Sequence, residues 1–452
     1  MFHKILIANR GEIAVRIIRT CLYMGIETVA VYSEGDEDSL HVQLADEAIC
    51  IGGPKSIDSY LNMENIIQAA VNTQVEAIHP GYGFLSENPR FAELCETVGI
   101  KFIGPSSKAI QALGNKSKAR ELMKQVDVPC VPGSDGAIST LKEARLIAED
   151  IGFPVLIKAS AGGGGKGMRV AYNADEFISA FETAKSEAAG AFGDDRMYLE
   201  KYLVEPKHIE FQLLADQHGH IIHLGERDCS IQRHHQKVVE EAPSLIGESL
   251  REAMADAAIR ACQAVAYENA GTIEFLVEND RFYFIEMNTR IQVEHPVTEM
   301  ITGVDIVKEQ ILIASGEALS IKQSDVSFSG HCIECRINAE DPKHRFRPSP
   351  GQIDVFHLPQ GLGVRFDSYL YQGAKISPYY DSMIGKLIVH GHTRQEAIMK
   401  LRAALEELVV KGIQTNQNFI YMLIHRDEYF EGRFDTTFIQ NHLESLLEYN
   451  DE

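Results

Sequence analysis

The chain has 452 residues, 45% of them hydrophobic and 24% charged, with a formal net charge of −22. At about 100–200 residues per domain this length predicts about three folding units with ordinary globular cores. The negative charge repels polyanions and argues against a nucleic-acid partner, and no apolar run reaches the ~18 residues of a membrane span. Anionic small molecules remain compatible if a cleft gathers Lys, Arg and backbone N–H groups locally.

Residues 1–8 pass at once into a β-rich apolar run and leave no place for an export signal. Eight widely spaced cysteines read as reduced thiols rather than a disulfide framework. Both features predict a soluble, cytoplasmic protein. The apolar run 5–8 is followed by Ile13, Ala14, Ile17, Ile18 and Cys21 at helical spacing, and strand signals recur at 28–32, 48–51 and 75–78. Residues 1–115 are therefore expected to form a small doubly wound, Rossmann-like parallel sheet. Asn9-Arg10-Gly11-Glu12 stands where a GxGxxG fingerprint would, so no dinucleotide site is inferred. On the first helix Arg16, Arg19 and Tyr23 fall opposite the apolar stripe and are expected to face solvent.

Pro and Gly punctuate Val128-Pro129-Cys130-Val131-Pro132-Gly133-Ser134, which predicts a hinge, and a second hinge is expected near Val204-Glu205-Pro206. Between them lies an α+β module, and beyond it a larger mixed α/β region. Within the module, Gly162-Gly163-Gly164-Gly165-Lys166-Gly167 is flanked by strand-like runs at 155–157 and 168–171. Glycines let a backbone approach phosphate closely and aim its N–H groups at the oxygens. The run is not a Walker A loop, because Ser160 stands five places before Gly165 and Gly167 follows Lys166. It reads instead as a strand–loop–strand flap, with a glycine-rich surface turn as the plain alternative. Lys158, closing an apolar strand beside it, is placed to meet nucleotide phosphates.

Residues 272–277 and 282–288 are two strands around the turn signal Glu278-Asn279-Asp280. Pairing as a hairpin sets Glu274 across from Ile285 or Glu286, with Asn288 on the face of Glu286. Two carboxylates and an amide oxygen suit Mg²⁺ completed by phosphate oxygens, against the plainer alternative of a half-exposed strand. The same alternation is expected to continue through Arg290, Gln292 and Glu294. Cys332-Ile333-Glu334-Cys335 lacks a second ligand pair for zinc and reads as a strand with Cys332, Glu334 and Arg336 on one face. His218, His220 and His223, around Asp216 and Gly219, read as solvated histidines at a hairpin turn.

These residues resemble the ATP-grasp superfamily, and specifically biotin carboxylases. The likeness rests on Ile7-Ala8-Asn9-Arg10-Gly11-Glu12-Ile13-Ala14, on His79-Pro80-Gly81-Tyr82-Gly83-Phe84-Leu85-Ser86-Glu87-Asn88 and on the glycine flap. It also rests on the stretch from Glu226 to Lys237 and on that from Glu286 to Pro296. The resemblance implies an α/β ATP-grasp fold with a Rossmann-like N-terminal domain (1–115), an ATP-grasp domain (116–315) carrying a mobile α+β lid at about 131–203, and a C-terminal domain (316–446). It implies that Lys116, Lys158, Gly164, Gly165 and His208 contact ATP, that Glu200, Lys201, Tyr202 and Leu203 frame the adenine, and that Gln232 and His235 line the nucleotide side. Glu274, Glu286 and Asn288 would hold Mg²⁺ or Mn²⁺. Lys237, Arg290, Gln292, Val293 and Glu294 would surround bicarbonate, with Glu294 as general base, while Arg336 faces the biotin ureido oxygen and Tyr82 lies near the biotin pocket.

The sequence departs from the family's habit at Ala161 and His234, and neither is given a role. No Ala-Met-Lys-Met attachment motif is found, so biotin is expected on a biotin carboxyl carrier protein, with carboxyltransferase subunits as further partners. A homodimer through the first helix and C-terminal segments is expected by resemblance. The implied reaction is the first half-reaction of acetyl-CoA carboxylase in fatty acid synthesis. The rivals are another ATP-grasp ligase acting on a different acceptor and a nucleotide-binding subunit without turnover.

Overall fold

In the computed structural model, which describes residues 1–159, 168–192 and 194–449, the N-terminal alternation folds into five parallel strands. They are β1 (Lys4–Ile7), β2 (Glu27–Tyr32), β3 (Glu47–Cys50), β4 (Ala77–His79) and β5 (Lys101–Phe102), in the order β3-β2-β1-β4-β5. Both faces are covered, as parallel sheets require: Ile5 and Ile7 join one core with Ile13 and Ile17, Leu6 joins the other with Val29, Ile78 and Phe91. The first helix, α1 (Gly11–Met24), follows β1. Its polar side is not wholly solvated, which corrects the expectation for Arg16. That guanidinium is buried and donates to Glu299 and Asp305, each at 2.8 Å, while Tyr23 is exposed. A charge can sit on a helix face inside the protein when carboxylates from another element meet it.

The predicted lid module is a three-stranded antiparallel sheet of β6 (Val155–Ala159), β7 (Met168–Ala171) and β8 (Met197–Lys201), ordered β7-β6-β8. Phe177 and Phe181 of the helix Ala174–Phe192 fill its core against Ile157 and Leu199. Lys158 pairs with Met168 in register, so the glycine run is flanked by two strands of one hairpin, as expected. Ala161, Gly164 and Gly165 lie outside the described residues.

The rest is organised by one eight-stranded antiparallel sheet. Its strands include β9 (Lys207–Ala215), β10 (Ile221–Arg233), β11 (Gln236–Ala242), β12 (Asn269–Glu278), β13 (Arg281–Asn288) and β14 (His331–Asn338). The order is β13-β12-β9-β10-β11-β14, then the strands Met383–Gly391 and Val364–Ser368. β12 and β13 form the predicted hairpin, and both turn residues, Asn279 and Asp280, take positive φ (52° and 57°), as a two-residue hairpin turn of matching twist demands. β14 alternates as expected: Ile333 and Cys335 enter the core with Leu387 and Leu401, while Cys332 joins a separate cluster with Val297. All eight cysteines are free.

Two expectations fail here. The strand does not run on through Arg290, Gln292 and Glu294; it stops at Asn288, and the helix His295–Thr302 begins seven residues later with Pro296 in its first turn. Glu87 accepts from the backbone N–H of Thr289 at 2.9 Å and so turns the chain out of the sheet. His223 is not a solvated loop residue either. It lies within β10, half-buried against Phe211, and burial lowers its pKa. Among the described residues no helix is long and apolar enough to cross a membrane.

Candidate active site

The site grows from residue alternation on the large sheet. On β9 every second side chain, His208, Glu210 and Gln212, is polar and buried. Arg227 on β10 lies directly opposite Glu210 and has no exposed surface. Its guanidinium donates to Glu210 Oε1 (2.5 Å), Gln212 Oε1 (2.8 Å), Thr298 Oγ1 (2.9 Å), Thr272 Oγ1 (3.1 Å) and Gln292 Oε1 (2.8 Å). Such a fixed fork of donors can hold four elements in register where lysine could not.

On the open side of this frame the Lys237 ammonium donates to Glu294 Oε1 at 2.5 Å, Glu210 Oε2 at 2.6 Å and Glu274 Oε1 at 2.9 Å. Burial alone would favour neutral lysine, but the three carboxylates outweigh it and hold the ammonium charged well above its usual range. Burial likewise acts to raise Glu274 and Glu294. Lys237 overcomes it at both, aided by His208 at Glu274 and by Arg336 at Glu294, so both carboxyls stay well below the usual carboxylate range. Arg336 donates to Glu294 Oε2 at 2.9 Å and to Glu240 Oε1 at 2.6 Å.

Glu274 and Glu286 are register partners across the hairpin. Asn288 Nδ2 and Gln292 Nε2 each donate to Glu274 Oε1 at 2.8 Å, and His208 Nε2 approaches Glu274 Oε2 at 3.1 Å. One ligand atom each of His208, Glu210 and Glu274 lies within 4.8 Å of the others. An excess of carboxylates around Lys237 is the donor chemistry a hard divalent cation requires. Arg290 is held by Glu87 Oε2 and Asn288 Oδ1, both at 2.9 Å.

A cavity of about 670 Å³ collects twelve of the predicted positions: Tyr82, His208, His235, Lys237, Glu274, Glu286, Asn288, Arg290, Gln292, Val293, Glu294 and Arg336. His235 reaches it because His234 and His235 form the positive-φ turn between β10 and β11. Gln232 stands one step back, hydrogen-bonded to His208 Nδ1 at 2.8 Å. Lys158, Glu200 and Lys201 belong to the three-stranded sheet, Tyr202 and Leu203 follow it, and none of the five lines this cavity. There Glu200 binds Lys158 and, at 2.8 Å, Arg120, while Lys201 Nζ donates to the carbonyls of Gly152 and Phe153. Burial pushes the Glu200 carboxyl up, but Lys158 and Arg120 hold it below its ordinary value. Lys116 opens the helix Lys116–Gln125.

The reading from sequence gave no role to Glu210, Arg227, Glu240, Lys386, Glu12 or Glu87. A signal existed for one of them: Lys386 interrupts the apolar run 384–389 of the strand Met383–Gly391, and a lysine there needs a partner. It is fully buried, donates to Val293 O at 2.6 Å and lies 3.3 Å from Glu12 Oε1.

An eight-stranded antiparallel sheet whose neighbouring strands gather carboxylates in one cavity, accompanied by a separate three-stranded sheet, defines an ATP-grasp ligase, and comparison with known proteins narrows this further. Residues 1–110 match the biotin carboxylase N-terminal domain, 115–322 the ATP-binding domain of the carbamoyl-phosphate synthase L chain, and 334–441 the biotin carboxylase C-terminal domain. Biotin carboxylase 1 of Bacillus subtilis (strain 168) is 57% identical over 445 residues, covering 98% of this chain and 99% of that one. A pyruvate carboxylase subunit of Methanothermobacter thermautotrophicus is 54% identical, covering 98% of this chain and 90% of that one. The biotin carboxylase domain of Hydrogenobacter thermophilus 2-oxoglutarate carboxylase, solved as a dimer with MgADP, ADP and bicarbonate, superposes with a TM-score of 0.91 at 50% identity and full coverage of both chains. The chain belongs to the biotin carboxylase family of ATP-dependent carboxylases.

Proposed function

We propose that this protein carboxylates biotin carried on a biotin carboxyl carrier protein, using ATP and bicarbonate and releasing ADP and phosphate. The observation that carries the reading is the convergence of Lys237, Glu294 and Arg336 in the cavity that also holds Glu274, Glu286 and Asn288. In this reading Glu274, Glu286 and Asn288 hold Mg²⁺ or Mn²⁺, which neutralises phosphate charge when bound. Lys158, Lys116, His208 and the glycine flap contact ATP, residues 200–203 frame the adenine, and Gln232 and His235 line the nucleotide side.

Lys237, Arg290, Gln292 and the Val293 backbone orient bicarbonate for in-line attack on the γ-phosphate. Glu294, ionised because Lys237 and Arg336 hold its carboxyl low, takes the bicarbonate proton as the new O–P bond forms and ADP departs. The product, carboxyphosphate, breaks its C–O bond to give CO₂ and phosphate trianion, and the phosphate takes the N1 proton of biotin. Arg336 stabilises the negative charge that develops on the ureido oxygen while N1 attacks CO₂, and Tyr82 borders the same pocket.

In this reading residues 1–115 form the N-terminal domain that carries Tyr82, 116–315 the ATP-grasp domain with its lid at about 131–203, and 316–446 the C-terminal domain that carries Arg336. We take acetyl-CoA as the final acceptor, reached through carboxyltransferase subunits in the cytoplasm. The relatives named for pyruvate and 2-oxoglutarate carboxylation make a 2-oxoacid the competing acceptor. A homodimer is supported by the dimeric 2-oxoglutarate carboxylase domain and by exposed Leu22 and Tyr23 on α1; sedimentation as a monomer at micromolar concentration would refute it. ATP hydrolysis requiring bicarbonate and stimulated by free biotin, without ammonia or an amino acid, tests the activity. Full biotin-dependent turnover in both Glu294→Ala and Arg336→Ala would overturn the residue assignments.

A further inference from the structure

Two carboxyl groups that this chemistry does not use face each other beneath Arg336. Glu240 on β11 and Glu334 on β14 are register partners, and neither has any exposed surface. Residues directly opposed on antiparallel strands hold their Cβ atoms about 4.5–5.5 Å apart. Glu240 Oε1 accepts from Arg336, whereas Glu240 Oε2 and both oxygens of Glu334 have no hydrogen-bond partner. As two carboxylates this pair would bury an uncompensated charge and three orphaned acceptors. One proton between them supplies the missing donor and removes the excess charge.

The surroundings are charged on every side. On β14 Cys332 and Arg336 share the face of Glu334, and the strand Met383–Gly391 sets Lys386 opposite Arg336. The helix His295–Thr302 brings His295, with Glu294 as its cap, and Lys237 lies along β11. From α1 Glu12 meets Lys386 and accepts from the Tyr82 hydroxyl. Burial pushes the Glu334 carboxyl well above the usual carboxylate range and outweighs Lys386; it raises Glu240 to about 7 against the pull of Arg336.

We propose that Glu240 and Glu334 share one proton and together position Arg336, a role that rests on the reading that Arg336 faces the biotin ureido oxygen. With the proton bound, the pair presents one negative charge and leaves part of the guanidinium to the substrate. A raised acid keeps its proton below its folded pKa and loses it as pH rises. The second charge then draws Arg336 toward the sheet and away from biotin.

The test is difference infrared spectroscopy of the whole protein between neutral and alkaline pH, alongside the KM for free biotin over the same range. In the wild type a protonated-carboxyl C=O band disappears on alkalinisation and the biotin KM rises about tenfold per pH unit past the transition, with kcat at saturating biotin changing less than about twofold. In Glu334→Gln, which mimics the protonated acid, this band is missing and the alkaline rise in KM is flattened. Glu334→Met serves the same comparison if the glutamine variant does not fold. A band and a KM rise that survive both substitutions overturn the proposal. A band lost as expected beside a wild-type biotin KM that does not depend on pH overturns the positioning role and locates the fault in the assignment of Arg336, not in the shared proton.

Discussion

Replacing Lys237 by methionine should destabilise the folded protein in a way that pH reveals. The ammonium makes three charge-assisted hydrogen bonds, at 2.5, 2.6 and 2.9 Å, to carboxylates that are themselves buried. At about 1.5–3 kcal/mol each, a simple sum would reach roughly 5–9 kcal/mol. The loss should saturate nearer the ~3–5 kcal/mol seen when one partner of a buried ion pair is removed, because the orphaned carboxylates can take up protons instead. At roughly 2–4 °C per kcal/mol this is a fall in Tm of about 6–20 °C. The chain contains no tryptophan, so far-UV circular dichroism is the appropriate probe.

In the wild type Glu274 and Glu294 are depressed, so their stabilisation is complete above the unfolded carboxylate value of ~4.3 and is lost only as pH falls through their lower folded values. Without Lys237, burial is less opposed and raises both groups. The folded variant then gains protons, and relative stability, as pH falls from about 7.5 toward 5.5. The Tm gap should therefore be widest at the higher pH and narrow on acidification. A variant within about 1 kcal/mol of wild type, or a gap that widens toward acid, would refute the reasoning.

Glu294→Gln keeps the shape of the site but removes the proposed base, and bicarbonate-dependent ATP turnover should fall by about 10²–10⁴-fold. Because Lys237 and Arg336 hold the wild-type carboxyl low, kcat/KM at constant bicarbonate concentration should show no loss assignable to a carboxyl between about pH 5 and 7. A clear fall with a midpoint near pH 6 would contradict the assignment. Arg227→Met removes the donor shared by Glu210, Gln212, Thr298, Thr272 and Gln292 and should cost about 3–5 kcal/mol, read as a lowered Tm. Arg227→Lys should recover only part of this, since a point charge cannot bridge all five partners, and an unchanged Tm in both variants would contradict the framing role.

Much of this was legible before the fold was known. The turn signal at 278–280 set Glu274 across from Ile285 or Glu286, of which the register selects Glu286, and the polar face of β14 followed from simple alternation. The failures share one cause, which is that a linear pattern carries no partner information. Arg16 looked like a solvated residue because Glu299 and Asp305, nearly three hundred positions away, could not be placed against it. The alternation of Arg290, Gln292 and Glu294 looked like a strand, whereas Glu87 from the N-terminal unit bends that segment and delivers the same side chains from a loop. Arg227 lies in the stretch from Glu226 to Lys237 without a legible role, since its five partners come from four separate segments.

The most direct test follows the oxygen atoms. If Glu294 and Lys237 set bicarbonate to attack the γ-phosphate, turnover with ¹⁸O-labelled bicarbonate in the presence of biotin should place one label atom in each inorganic phosphate released, and none should enter from solvent water. Phosphate that carries oxygen from water instead would show that ATP is merely hydrolysed in this cleft and would contradict the carboxylation chemistry assigned to it.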